Sequence, residues 1–257
     1  MRRLCLALVA LAVAAPAQAT PSPRLRIVFP EGLSVRQMGD RVAAVRRIAI
    51  AKRQVRPLLT GTAYAEAAKK AKPPAGFGHP ASIEGFLFPD TFVFGPSTTA
   101  EQLISLQQAA FARAWKKVRL PAGRAPYDVL IVASMIERET VAPEERPLVS
   151  AVIWNRLARG MPLGIDATLR YGLGIPGTRP ITAAQQRSAT PYNTNRFTGL
   201  PPTPIGNPGL ASIQAAAKPA RADYLFYVRL PDRVHHFFTA SEAEFCAKAV
   251  ELGYKGC

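Results

Sequence analysis

Ala133-Ser-Met-Ile-Glu-Arg-Glu-Thr140 ends an apolar helix with two carboxylates, Glu137 and Glu139, and a charged pair at the end of a buried segment calls for a reason. Val129, Val132, Ala133 and Ile136 recur at i, i+3, i+4 and i+7, one face of an amphipathic helix, and Pro126 sits where a first helical turn tolerates it. On a 3.6-residue period Glu137 falls one turn after Ala133, at the border of the apolar stripe. Glu139 projects roughly 200° away, at about 100° per residue. A carboxyl at the edge of an apolar face is partly desolvated, which raises its pKa and suits it to general-acid work on a glycosidic oxygen. The bland alternative is a solvated helix-terminal acid.

Outward from this helix, residues 24–29 alternate apolar and polar as a strand, Pro30-Glu-Gly32 reads as a turn, and Ser34 as the N-cap of a helix carrying Val35, Met38, Val42 and Val45 inward. A second helical stretch over 53–70 is interrupted by Pro57 and Gly61, and these pieces make a small basic module, 24–72. Residues 69–80, rich in Lys, Pro and Gly, read as a linker to the main domain, 80–257. That domain opens with two short strand-like pieces in 82–94 broken by Pro89, then a helix over 99–118 with a Thr99/Gln102 capping box. Pro143 starts a further helix with Leu148, Val149, Val152, Ile153 and Leu157 on its apolar face and Gly160 as its stop. Residues 175–203 lack periodicity, and their length points to a functional loop. A short helix over 208–217, a hairpin of 224–228 with 234–239, and a last helix opened by a Ser241/Glu244 capping box complete an α+β chain weighted toward helix.

At 257 residues and 48% hydrophobic content the chain can bury a substantial core, and global disorder is excluded. Its 33 basic against 17 acidic side chains give +16, a field that favours anionic partners. The basic residues are scattered, with no zinc-finger, basic-zipper or aromatic-plus-basic pattern, so nucleic acid is not expected as the partner. Met1-Arg-Arg3, the apolar run 4–15 and Ala17-Gln-Ala19 have the form of an export signal over 1–19, cleaved before Thr20 or retained as a short anchor. The anionic partner is then extracytoplasmic, in the periplasm or at the outer face of the cytoplasmic membrane. Cys246 and Cys257 are candidates for a disulfide in that compartment, and the absence of a Cys-x-x-C or Cys/His cluster argues against zinc.

Six blocks in order, Ser82-Ile-Glu-Gly-Phe-Leu-Phe-Pro-Asp-Thr91, 133–140, Val152-Ile-Trp-Asn-Arg-Leu157, Pro191-Tyr-Asn-Thr194, Gly199-Leu-Pro-Pro-Thr-Pro-Ile-Gly-Asn-Pro-Gly209 and His236-Phe-Phe-Thr239, closely resemble the YceG-like family of endolytic murein transglycosylases. The resemblance implies a helix-rich, lysozyme-like catalytic domain with small β elements, preceded by a truncated LysM-like module. It implies cleavage of nascent peptidoglycan strands between N-acetylmuramic acid and N-acetylglucosamine, leaving 1,6-anhydromuramyl ends, without cofactor or metal. Peptidoglycan is then the substrate, cell-wall synthases are candidate partners and membrane association a candidate property. A hydrolytic muramidase and a non-catalytic wall-binding or regulatory protein are the alternatives.

The resemblance assigns the acid/base role to Glu137, which matches the family position, and leaves Glu139 to structural pairing with an arginine. Asn155 is a candidate for substrate or for the Glu137 carboxyl, against a helix-to-loop clamp. Tyr192, Asn193 and Thr194 are candidates for sugar and acetamido contacts. Asp166 is a candidate for orienting cleft groups, against capping the helix near Ala167; Gly164, Ile165 and Ala167 depart from the family pattern around it. Glu84 and Asp90 are candidates for the sugar groove, with structural pairing as the alternative. His236 matches the family, whereas Phe245 stands where many members carry histidine, and His79 and His235 have no counterpart.

Overall fold

The computed structural model describes residues 23–254, so the expected export signal and Cys257 lie outside the described residues. Strand β1 (Leu25–Val28) pairs antiparallel with β2 (Thr91–Phe94), with Leu25 opposite Phe94 and Val28 opposite Thr91. The alternation read for 24–29 is realised: Leu25 and Ile27 are buried while Arg26 and Val28 face out. The 82–89 piece read as strand-like is irregular, and only the residues after Pro89 pair.

Ser34 caps helix α1 (Val35–Arg53) through a reciprocal capping box with Gln37. Helix α2 (Gly61–Lys70) begins at the glycine that the sequence marks as an interruption. The reason is steric, because a Cβ on Gly61 would lie 2.7 Å from the Gly39 carbonyl oxygen, so the two backbones cross where neither has a side chain. Strand β1 comes from the N-terminal side of 69–80 and β2 from beyond it, and one buried cluster contains Leu25, Met38 and Tyr64 together with Phe86, Phe111 and Val132.

Helix α3 (Ala100–Trp115) carries the expected Thr99/Gln102 capping box. Helix α4 (Pro126–Glu139) starts on Pro126 as read, yet it is buried on all sides from Val129 through Ile136 rather than along one stripe. Helix α5 (Arg146–Ala158), entered by the 3-10 turn Pro143–Glu145, together with α6 (Asp166–Leu173) and α8 (Leu210–Ala217) pack around it. Ser134 sits in this core without an unsatisfied hydroxyl, since Oγ donates to the Ile131 carbonyl (2.7 Å) and accepts from the Ile205 amide (3.0 Å). The short α7 (Ala183–Gln186) is the one helix in the 175–203 loop. Strands β3 (Phe226–Arg229) and β4 (His236–Thr239) form the expected hairpin, and α9 (Glu242–Glu251) closes the described chain. Only half of the Ser241/Glu244 box forms: Ser241 accepts from the Glu244 amide, while the Glu244 carboxylate accepts from Thr239 Oγ1 instead. Cys246, in α9, is disulfide-bonded.

Asn207, fully buried, ties the Pro30-Glu-Gly32 turn to the main core. Its carbonyl accepts from the Gly32 amide (2.8 Å), its amide donates to Leu33 O (2.9 Å), and its Oδ1 accepts from the Leu87 amide (2.9 Å). Its Nδ2 donates to Leu33 O and to a Glu84 carboxylate oxygen, both at 2.9 Å. Asn207→Ala strands the Leu87 amide in the core, and a loss of about 2–3 kcal/mol is expected from chemical denaturation; an unchanged denaturant midpoint would contradict this role.

Candidate functional site

The last turn of α4 emerges from the core and turns its two acids to different environments. Glu137 is half-buried; its Oε2 accepts from the Gly209 amide at 3.0 Å, and Gly209 is the N-cap of α8. The partial positive charge of that helix end suits a carboxylate. Glu31, from the Pro-Glu-Gly turn, presses its own carboxylate against Gly209, where a Cβ could not fit. Burial, and then the neighbouring Glu137, push the Glu31 carboxyl up, while Arg146 opposes them. Glu31 was missed in the sequence because a Pro-x-Gly turn is read for its backbone. No third ligand joins these two acids into a metal-binding group among the described residues.

Glu139, also half-buried, has a different neighbourhood. Burial raises its pKa above the usual glutamate value, and Asp166 pushes in the same direction. Arg229, the Tyr227 hydroxyl and His236 act against them. Tyr227 Oη donates to Glu139 Oε2 at 3.2 Å, and Arg229 Nη2 donates to the Glu139 carbonyl at 3.0 Å. Tyr227 and Arg229 are alternate residues of β3 and therefore share a face, with Arg229 opposite His236 in register. Arg229 Nε donates to His236 Nε2 at 3.4 Å, which leaves the imidazole proton on Nδ1, where Glu145 Oε2 accepts it at 2.6 Å. Glu145 Oε1 also accepts from the His236 amide at 2.8 Å.

His236 is thus a buried scaffold residue between Glu145 and Arg229, not a groove residue. Tyr227, Arg229 and Glu145 were missed in the sequence, although the hairpin was legible: pairing His236 across it leads to Arg229, and two residues back to Tyr227. Asp166 is the first residue of α6, exposed, without a side-chain cap to that helix. Its carboxylate accepts from Asn195 Nδ2 at 3.3 Å and lies near enough to Glu139 to raise the pKa of that acid.

Of the other expected site residues, Asn155 donates through Nδ2 to the Ala222 and Tyr224 carbonyls, both at 2.9 Å, and so clamps the segment leading into β3. Asn193 and Thr194 are buried in loop architecture: Asn193 Nδ2 donates to the Gln186 and Ser188 carbonyls, and Thr194 Oγ1 accepts from the Ile165 amide. Tyr192 stacks its ring beside Tyr171, 5.1 Å between centroids, and shares a hydroxyl hydrogen bond with Thr203. Asp90 accepts from the following Thr91 amide, His235 pairs with Asp232 and Glu144, and His79 is exposed. Phe245 stacks on Phe226.

A cleft of about 610 Å³ opens beside α4, between the start of α1, the 80–84 segment and the end of α6, with Arg138, Arg170, Tyr171 and Tyr192 on its walls. Its floor is Glu84, which accepts from the Val35 amide (3.0 Å), Asn207 Nδ2 (2.9 Å) and Tyr171 Oη (3.1 Å). Those bonds only partly offset its burial, and its pKa is pushed up from 4.5 to about 7. A carboxyl that is more basic in the folded state stabilises it fully below pH 4.5 and loses that contribution as pH rises through 7. The loss amounts to about 3 kcal/mol. Glu84→Gln is expected to flatten the pH dependence of Tm across this window, and an unaltered slope would show that Glu84 does not titrate there.

Comparison with known proteins places this arrangement. The YceG-like family profile matches residues 8–251. The chain is 34% identical over 154 residues to a Bacillus subtilis protein named endolytic murein transglycosylase, covering 58% of this chain and 42% of that one. It is 31% identical over 162 residues to a Streptococcus pneumoniae protein of the same name, covering 57% of this chain and 28% of that one. The chain therefore spans less than half the length of these curated relatives. A crystal structure of a yceG-like protein from Listeria monocytogenes superposes with a TM-score of 0.67 at 28% identity, covering 89% of this chain and 77% of that one. With nearly its whole length matched by the family profile, this chain belongs to the YceG-like family.

Proposed function

We propose that this protein is an endolytic peptidoglycan lytic transglycosylase, and that Glu139 rather than Glu137 is its acid/base. The observation that carries the assignment is the contrast between the two acids. Glu137 has its Oε2 taken by the Gly209 amide at the N-terminus of α8. Glu139 is held by burial toward the protonated form that a general acid needs, and it is flanked by the exposed polar side chains Asp166, Asn195 and Arg229.

In this reading Glu139 gives its proton to the glycosidic oxygen as the bond from muramic acid C1 breaks. The sugar's own C6 hydroxyl then attacks C1 and returns its proton to Glu139, closing the 1,6-anhydro ring. No water enters, so one carboxyl serves both steps where an ordinary glycosidase uses two. Tyr227 and Arg229 orient Glu139, and Arg229 steadies the carboxylate that exists between the two proton transfers. His236 and Glu145 fix Arg229 in place.

The names of the Bacillus and Streptococcus relatives support the substrate and an extracytoplasmic site of action. We extend the reading to a lysozyme-like catalytic unit, a truncated LysM-like N-terminal part, an export signal or short anchor over 1–19, and cell-wall synthases as partners. No described helix is long and apolar enough to cross a membrane. Product analysis after digestion of purified glycan strands tests the reaction: 1,6-anhydro ends are expected, and reducing muramic acid ends would make the enzyme a hydrolase. Because the acid must be protonated, kcat is expected to fall as pH rises through the raised pKa of Glu139. A kcat that stays flat as pH rises would remove Glu139 from the proton transfer.

A further inference from the structure

Three guanidinium groups face the cleft beside α4. Arg36 comes from the first turn of α1, Arg138 from the turn of α4 between the two acids, and Arg170 from α6. None of the three forms a salt bridge among the described residues. Arg138 donates one Nη to the Gly32 carbonyl, and Arg170 donates one to the Pro176 and Arg179 carbonyls, so each keeps further N–H donors. Burial works against the charged Arg138 guanidinium, Glu139 and Glu84 partly offset it, and the charge of Arg170 adds to the burial effect. Glu84, at the floor, forms no ion pair with them: its oxygens are taken by Val35, Tyr171 and Asn207, and burial works against its charged form. Three cations around one concavity, none of them closed off in a salt bridge, favour an anionic ligand.

The remaining walls select the kind of anion. Ile83, Pro176 and the rings of Tyr171 and Tyr192 give the cleft an apolar side, and about 610 Å³ accommodates a short peptide. Guanidinium forks match carboxylates bidentately. Arg138 is near enough to Glu139 and to Glu84 for both to act on its charge, which sets the cleft next to the candidate acid. We propose that this cleft binds the carboxylates of a muramic-acid stem peptide, so that the protein acts on peptide-bearing strands in preference to bare glycan. This rests on the peptidoglycan-cleaving reading above and names the part of the substrate that the cleft holds.

Binding and turnover test it separately. In a calorimetric titration of the full chain, the soluble tripeptide L-Ala-γ-D-Glu-meso-diaminopimelate is expected to bind saturably. Arg36→Gln, a change at an exposed residue that leaves the fold intact, and Arg170→Gln should together weaken that binding about tenfold. The single Arg36→Gln should weaken it measurably. Absence of saturable binding, or binding indifferent to Arg36→Gln, overturns the proposal. So does displacement of the tripeptide by inorganic pyrophosphate at equal concentration, which would assign the cleft to phosphate. In turnover, the wild-type KM for peptide-bearing strands should be about tenfold below that for amidase-stripped strands. Equal KM values overturn the peptide site while leaving glycan cleavage standing. Tripeptide binding without cleavage of either strand supports the site and overturns the enzymatic reading.

Discussion

Glu139→Gln is expected to lower strand cleavage by about 10²–10⁴-fold with the fold retained, the usual contribution of a positioned proton donor. Glutamine keeps an oxygen to accept from Tyr227 Oη, so the bond at 3.2 Å survives while the transferable proton is gone. The loss should therefore appear in kcat and not in Tm. Glu137→Gln is the necessary comparison. Its amide oxygen can still accept from the Gly209 amide, and activity is expected to remain within a few-fold of wild type. The reverse pattern, with Glu137→Gln inactive and Glu139→Gln active, would return the acid/base role to the residue that the helical period and the family resemblance favour. Tyr227→Phe separates positioning from proton transfer. It removes a donor to the carboxylate, so the pKa of Glu139 should rise further and the descending limb of the pH profile should move to higher pH.

Gly85→Ala is expected to be strongly destabilising. Gly85 has φ +91°, and a Cβ there would lie 2.6 Å from Pro204 Cγ and 3.1 Å from Leu130 Cδ2. Backbone strain of about 1–2 kcal/mol adds to overpacking of about 1–3 kcal/mol, so a loss of about 3 kcal/mol is expected. Gly76→Ala separates the two causes: its φ is +89°, but nothing lies within 4 Å of the added carbon. It should cost about 1 kcal/mol, from strain alone. Denaturant midpoints of the two variants give the comparison, and equal losses would mean that the Pro204 contact yields without cost. The expected difference matters for the site because Gly85 seats the segment carrying Glu84 beneath Pro204 and α4.

Helix positions were legible because local chemistry fixes them. Ser34 and Thr99 each form the reciprocal box that their spacing announces, and Pro126 starts α4 where a missing amide hydrogen costs nothing. The hairpin of β3 and β4 was legible for a similar reason, an apolar-rich pair of segments about a Pro-Asp turn. Extent of burial was not. The period of α4 shows one apolar stripe, yet Leu130, Ile131, Ser134 and Met135 are covered as well, because α5, α6 and α8 surround the helix from distant parts of the chain. A Ser in that position looks like a surface residue until the Ile205 amide arrives to meet it.

Spacing, capping and ordered motif blocks are properties of neighbours along the chain, and they suffice for the family, the order of the helices and the turn of α4 from which the candidate acid projects. The surroundings of each acid come from folding. Glu137 meets the Gly209 amide, 72 residues on, and Glu139 meets Tyr227, 88 residues on. A carboxyl's pKa depends on burial and on the charges and donors around it, and folding brings those from far along the chain. The same holds for Arg36, Arg138 and Arg170, scattered in the sequence and gathered around one cleft only when the chain is folded.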